Sequence, residues 1–252
     1  LSTFRNLGVR MVGIVHVGDN QFADSSLDSK RPHGGLSPLG RALVAEANRL
    51  GMLVDASHAS DEAFDQILAL SKSPIVLSHT AMRALYDHPR NLDDARVRAL
   101  AAKGGVIQVT CVDEFLRDTP VTPERATALA ELRKRFGPEE AFTPEVAAAY
   151  GAALREVDRR HPPVRATFDD FMAHLERAIA VAGVDHVGIG ADWDGGGGAM
   201  GFEDVVDLPK VTARLRAKGL SKADIDKIMG GNLLRILRQA EAAGSGVAAP
   251  AG

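Results

Sequence analysis

Met52-Leu-Val-Asp-Ala-Ser-His58 is an apolar run that ends on an imidazole. Three further stretches repeat that design: Met11-Val-Gly-Ile-Val-His16, Pro74-Ile-Val-Leu-Ser-His79 and His186-Val-Gly-Ile-Gly-Ala-Asp192. Each is short, rich in Val, Ile and Leu, and followed by Gly, Ser or a helical pattern, as expected of parallel strands covered on both faces. Read as strands over 10–16, 52–58, 74–79 and 186–192, they place three imidazoles and one carboxylate at one edge of a sheet. The C-terminal edge of such a sheet is where α/β enzymes hold their chemistry, so the fold class is α/β.

Working outward, Ser37-Pro38 supplies an N-cap and first-turn proline for a helix through Leu39, Leu43 and Leu50, stopped by Gly51. Ser60-Asp61-Glu62 opens a second helix with Phe64, Ile67 and Leu68 on one face, ended at Ser73-Pro74. A third, from Leu92 to Lys103, leads through Gly104-Gly105 into a fifth strand at 105–110. The repeat of strand, helix, strand implies right-handed parallel crossovers. Between Asp118 and Val164 the rhythm changes. Thr122-Pro123-Glu124 and Thr143-Pro144-Glu145 each start a helix in a charged, Ala-rich stretch, read as a helical elaboration over 118–165 above the sheet. Thr167 caps a helix carrying Phe168, Phe171, Leu175 and Ile179, and two helices follow Asp192, the last near Ser221–Gln239. The division is then one domain over 1–240 and a disordered Ala/Gly-rich tail over 241–252. Five strands are three short of a closed eight-stranded barrel, so on a barrel reading the first three units lie upstream of Leu1.

The 252 residues, 45% of them hydrophobic, suffice for a substantial core. A formal charge of −3 gives no electrostatic reason to expect nucleic acid or an anionic membrane surface. No apolar stretch reaches transmembrane length. The single Cys111 excludes an intrachain disulfide and fits a reducing compartment, so the cytoplasm is the expected location. Because the chain begins at Leu1 rather than Met, it reads as processed, trimmed or partial, which leaves a periplasmic or secreted location open.

A lone histidine at a strand end is more often a hydrogen-bonded structural residue than a ligand. Three at equivalent ends converge on one face without a packing reason, and neutral imidazole suits zinc. His33, His88, His161 and His174 are expected to face solvent, and His186, at the opposite sheet edge, to be structural. By strand alternation Asp55 is expected to point away from the side of His58, in a structural or supporting role. Gly195–Gly198 lacks the spacing and the lysine of a phosphate loop and reads as a flexible connection.

Taken together these segments resemble the membrane (renal-type) dipeptidase family, zinc peptidases among the amidohydrolase-like barrels. The likeness runs from Leu7 to Leu237. It rests on Gly34-Gly-Leu-Ser-Pro-Leu-Gly40, Asn48-Arg-Leu-Gly-Met-Leu-Val-Asp-Ala-Ser-His-Ala-Ser60, Pro74-Ile-Val-Leu-Ser-His79, Pro89-Arg-Asn91, Gly188-Ile-Gly-Ala-Asp-Trp-Asp-Gly195 and Met229-Gly-Gly-Asn232. The resemblance implies a (β/α)8 TIM-type barrel, of which this chain would supply the last five β/α units. It also implies two zinc ions and zinc-dependent hydrolysis of dipeptides, with tolerance of a D-residue at the C-terminal position. Carried over, it makes His58 and His79 ligands of one zinc, and His16 the group that approaches the substrate carbonyl and stabilises the oxyanion. Arg90 becomes the anchor of the free substrate carboxylate. Asp192 becomes the acid–base that takes a proton from a zinc-activated water and delivers it to the leaving amine. Asp194 would share its side of a continued strand, but it abuts four glycines and is assigned to the loop.

The family pattern also carries a His-x-Asp pair and a metal-bridging glutamate before the strand of His16, and neither is present here. The expectation is an N-terminally truncated piece of a dipeptidase whose active site, as given, is incomplete. A different amidohydrolase-type reaction, on a cyclic amide or β-lactam, is the alternative chemistry, and a noncatalytic family member the alternative class. Arg90 discriminates, because a neutral cyclic amide needs no carboxylate anchor. A dipeptide substrate is the expected partner, a homodimer is left open, and Cys111-Val-Asp-Glu114 leaves the side-chain preference open.

Overall fold

Five parallel strands form one sheet in sequential order: β1 (Met11–Gly13), β2 (Leu53–Asp55), β3 (Val76–Thr80), β4 (Val106–Val109) and β5 (Val187–Ile189). The computed structural model describes residues 1–138 and 141–244. Met11 pairs with Leu53, Asp55 with Val76, Val76 with Val106 and Gln108 with Gly188. Among the described residues the sheet is open, with β1 and β5 at its edges. The strands are shorter than the apolar runs suggest, because the chain turns out of the sheet before His16, His58 and Asp192 are reached.

Among the described residues eleven α-helices accompany the strands: α1 (Ser2–Asn6), α2 (Pro38–Arg49), α3 (Asp61–Leu70), α4 (Asp94–Ala102), α5 (Asp113–Leu116), α6 (Pro123–Phe136), α7 (Pro144–Arg160), α8 (Phe168–Ala182), α9 (Leu208–Ala217), α10 (Lys222–Asp226) and α11 (Asn232–Ala243). Their starts are chemically marked: Ser37, Ser60, Thr122, Thr143 and Thr167 each accept a hydrogen bond from a backbone N–H of the first turn. The expected last helix near Ser221–Gln239 is instead two helices. The backbone widens over Lys227–Gly231, where Gly230 has φ 153°, a value that excludes a regular helix. Residues 241–243 of the expected tail complete α11, and 245–252 lie outside the described residues.

One face of the sheet is covered by α2, α3, α4 and α8, whose Val44, Phe64, Ile67, Leu100, Phe171 and Leu175 pack with Val54, Leu77, Ile107 and Val187. On the opposite face Leu53, Val76 and Val106 meet Ile236 and Ala240 of α11. Two residues further along the same strands, on the same face by alternation, stand Asp55, Ser78 and Gln108. An apolar floor thus gives way to a polar layer at the C-terminal ends of the strands. Between Leu77 and Thr80, β3 advances three residues while β4 advances two, from Ile107 to Val109. This bulge lies at Ser78 and His79 and re-aims both side chains.

Candidate active site

His16, His58 and Asp192 each lie three residues beyond the end of a strand, β1, β2 and β5 respectively, while His79 stands within β3. They line one cavity of about 600 Å³ together with Ile14, Asn20, Asp55, Arg90 and Phe115. The loop after His16 is fixed from within. Ser25 Oγ lies 2.7 Å from His16 O and 2.8 Å from Val17 O, and Asn20 Nδ2 donates to Ile14 O at 3.0 Å.

The three imidazoles converge. His58 Nε2 and His79 Nε2 are 2.9 Å apart, and the His16 ring centroid lies 4.4 Å from that of His58. Burial, the Arg90 guanidinium and the neighbouring imidazoles of His79 and His16 push the His58 pKa down to about 3. Burial and Arg90 also lower His79, against the opposing pull of Asp192 and Asp55. Both rings are therefore neutral at pH 7, the form that binds a metal.

Two ligands 2.0–2.1 Å from a tetrahedral zinc are separated by about 3.3 Å, so the observed pair needs to open only slightly to receive an ion. The buried Nδ1 of His58 has no hydrogen-bond partner among the described residues. Zinc sites use three or four protein ligands, and among the described residues no group of three or more His, Cys, Asp or Glu side chains forms a metal cluster. The histidine pair fits part of a zinc site.

Arg90 is only 2% exposed, yet it makes no ion pair among the described residues. Its Nη1 donates to Ser57 O, its Nη2 to His79 O at 3.2 Å, and its buried Nε has no partner among the described residues. The guanidinium carbon lies 5.1 Å from the Phe115 ring centroid. Burial lowers its pKa to about 10, while Asp55 and Asp192 pull the other way. A buried cation without a carboxylate favours an anionic ligand.

Asp192 adopts the left-handed conformation at φ 61° and ψ 37°, rare for a residue with a side chain. Its carbonyl accepts from Gly195 N at 2.9 Å and Gly197 N at 2.8 Å, and a Cβ on Gly195 would meet its Oδ1 at 2.4 Å. Asp194 is exposed and does not line the cavity. The Gly195–Gly198 stretch, expected to be loose, is pinned by these bonds and by Gly198 N donating to Cys111 O at 3.0 Å.

Asp55 does not point away from His58. The strand ends at Asp55, so alternation stops there, and the carboxylate joins His58 in lining the cavity. His174 does not face solvent. It is 1% exposed, accepts from Met82 N at Nδ1 (3.0 Å) and donates from Nε2 to Leu116 O (3.0 Å). His33, His88 and His161 are half-buried rather than exposed. His186 faces Gly105 O through Nδ1 at 2.9 Å. Asn20, Ser57, Ser78 and Phe115 were not singled out from sequence. The hydroxyls carried a signal in Asp55-Ala-Ser57-His58 and Ser78-His79, where a small donor adjoins each imidazole.

The chain is 32% identical to the dipeptidase tcpJ of Claviceps purpurea over 242 residues, covering 96% of this chain and 47% of that protein. It is 32% identical to an uncharacterized dipeptidase of Schizosaccharomyces pombe, covering 99% of this chain and 51% of the relative. The chain therefore spans about half the length of the curated relatives it matches. Among solved structures, the probable dipeptidase PvdM from Pseudomonas aeruginosa aligns with a TM-score of 0.76 and 35% identity, covering 96% of this chain and 65% of that one. A metallopeptidase from Rhodobacter sphaeroides, liganded with a phosphinate mimic of the dipeptide L-Ala-D-Ala, aligns with a TM-score of 0.71 and 26% identity, covering 95% and 58%. The profile of the membrane dipeptidases, peptidase family M19, matches residues 1–250, and the chain belongs to that family of metallo-dipeptidases.

Proposed function

We propose that these residues form the larger part of a zinc-dependent dipeptidase site that hydrolyses short peptides with a free C-terminal carboxylate. The observation that carries this reading is the convergence of the His58 and His79 Nε2 atoms at 2.9 Å in a cavity that Arg90 and Asp192 also line. His58 and His79 would hold one zinc ion, with the remaining ligands, and those of a second ion, supplied from beyond the described residues. Zinc, when bound, supplies a Lewis acid and an activated water. Arg90 binds the substrate carboxylate, His16 stabilises charge developing on the carbonyl oxygen, and Asp192 delivers a proton to the leaving amine. The buried, unpaired Arg90 favours a dipeptide over a neutral cyclic amide.

Acceptance of a C-terminal D-residue belongs to the same proposal, supported by the L-Ala-D-Ala mimic held by the Rhodobacter sphaeroides relative. So does the larger architecture, in which the five strands are successive units of a (β/α)8 barrel. The open edges at β1 and β5 and the 41% exposure of Met11 on β1 support it. The test is hydrolysis by the intact zinc-loaded protein of L-Ala-L-Ala, L-Ala-D-Ala and their C-terminal amides. Cleavage confined to the free acids is expected, and equal rates on acids and amides would overturn the reading.

A further inference from the structure

The hydroxyl protons beneath His79 can be assigned one by one. Ser57 Oγ and Ser78 Oγ each lie 2.6 Å from an oxygen of Asp55. A carboxylate only accepts, and each hydroxyl has a single proton, so both protons go to Asp55. Ser78 Oγ also lies 2.8 Å from His79 Nδ1. With the seryl proton already directed to Asp55, that contact is a hydrogen bond only if Nδ1 carries hydrogen and donates it. The lone pair of His79 is then on Nε2, the nitrogen that faces His58.

Backbone amides hold this hub in place. Ser57 N and Ser78 N donate to Asp55 Oδ1 at 3.0 and 3.1 Å, and His79 N donates to Ser57 Oγ at 3.2 Å. The bulge in β3 is what lets the adjacent Ser78 and His79 side chains meet at all, since regular alternation sends neighbours to opposite faces.

We propose that Asp55, acting through Ser78 with Ser57 in support, is a positioning residue that fixes His79 as its Nδ1–H tautomer and aims the Nε2 lone pair at the metal position. Its consequence for metal binding rests on the zinc reading above, whereas the tautomer does not. The two histidines are thereby unequal. Facing a lone pair at 2.9 Å, His58 Nε2 must carry a proton, and the partnerless Nδ1 of His58 is then bare. To ligate through Nε2, His58 must move that proton, while His79 is already in the binding form. The tautomer of a ligating histidine is set by the hydrogen bond at its other nitrogen, and loss of such a partner costs about 10–100-fold in metal affinity.

The test is a long-range 1H–15N correlation spectrum of the histidine-labelled intact protein, which shows which ring nitrogen carries hydrogen, with zinc affinity measured by competition with a chromophoric chelator. Expected is Nδ1–H at His79 with and without zinc, and a change of tautomer at His58 alone on zinc addition. Ser78→Ala and Asp55→Asn should mix the His79 tautomers and weaken zinc by about 10–100-fold, and Ser78→Thr, which restores a hydroxyl, should recover both. If Asp55→Asn fails to fold, Ser78→Ala carries the comparison. An Nε2–H His79 in the wild type, or a folded Ser78→Ala with unchanged tautomer and zinc affinity, would overturn the proposal. Nδ1–H at His79 in an intact protein that binds no zinc would remove the metal reading and leave the relay standing.

Discussion

The Nε2 atoms of His58 and His79 face each other at 2.9 Å although the residues are 21 apart in sequence. One helical crossover, α3, separates their strands, and β2 and β3 pair in parallel with Asp55 opposite Val76. Burial and the Arg90 cation keep both rings uncharged, so the pair can turn two lone pairs toward one ion.

Arg90 should dominate recognition of the substrate carboxylate. Arg90→Ala in the intact protein is expected to weaken kcat/KM on free dipeptides by about 2–5 kcal/mol, because the carboxylate is left buried and unpaired. Arg90→Lys should recover only part of it, since lysine lacks the planar two-pronged donor. Steady-state kinetics on both variants checks this, and a normal kcat/KM in Arg90→Ala would remove the residue from the site.

For Asp192, the expected effect is on the chemical step. Asp192→Asn should keep the fold and the metal while lowering kcat by about 10²–10⁴. Asp194→Asn, whose side chain is exposed outside the cavity, should stay within a few-fold of wild type. The opposite pattern, a dead Asp194→Asn with metal bound, would move the proton transfer to the second acid.

Much of this was legible in the sequence, for identifiable reasons. Apolar runs ending on His58, His79 and Asp192 located the sheet edge because a parallel strand must be hydrophobic and its end must be exposed. Asp55 was misread because alternation holds only inside a strand, and β2 ends at that residue. His174 was misread because it was judged by residue type and not by its spacing along α8. It shares a stripe with Phe171, Leu175 and Ala178, all buried, and that stripe was the available signal. The Asp55–Ser78–His79 relay depends on a one-residue bulge, which no local pattern encodes.

Close packing behind the site gives a stability test. A Cβ on Gly190 would lie 1.8 Å from Ser78 O and 3.0 Å from Gln108 Cβ, so Gly190→Ala must push β5 away from β3 and β4. A loss of about 1–3 kcal/mol is expected from such overpacking. Gly13→Ala, where an added Cβ would meet no non-neighbouring atom within 4 Å among the described residues, should change stability by less than about 0.5 kcal/mol. Urea unfolding of the two variants distinguishes the sites, and equal stability would show that β5 has room.

His174 makes folding depend on pH. Burial lowers its pKa, and protonation would remove the acceptor that Met82 N uses. The unfolded chain therefore binds this proton first as pH falls. The contribution is fully present above the unfolded pKa of about 6.5 and is lost progressively as pH drops toward the folded value. Wild-type stability should fall below about pH 6.5, and His174→Gln should be less stable at pH 8 with a shallower decline between pH 6.5 and 5. An unchanged slope would assign the pH dependence to other histidines.

The most direct test of the account is anomalous diffraction at the zinc edge from crystals of the intact protein grown with zinc. The expected map places one ion between His58 and His79, bonded to the Nε2 atom of each at about 2.0–2.1 Å, with Arg90 and Asp192 facing the same cavity. Zinc bound elsewhere, or to only one of these two histidines, would contradict the reading of this cavity as a dipeptidase metal centre.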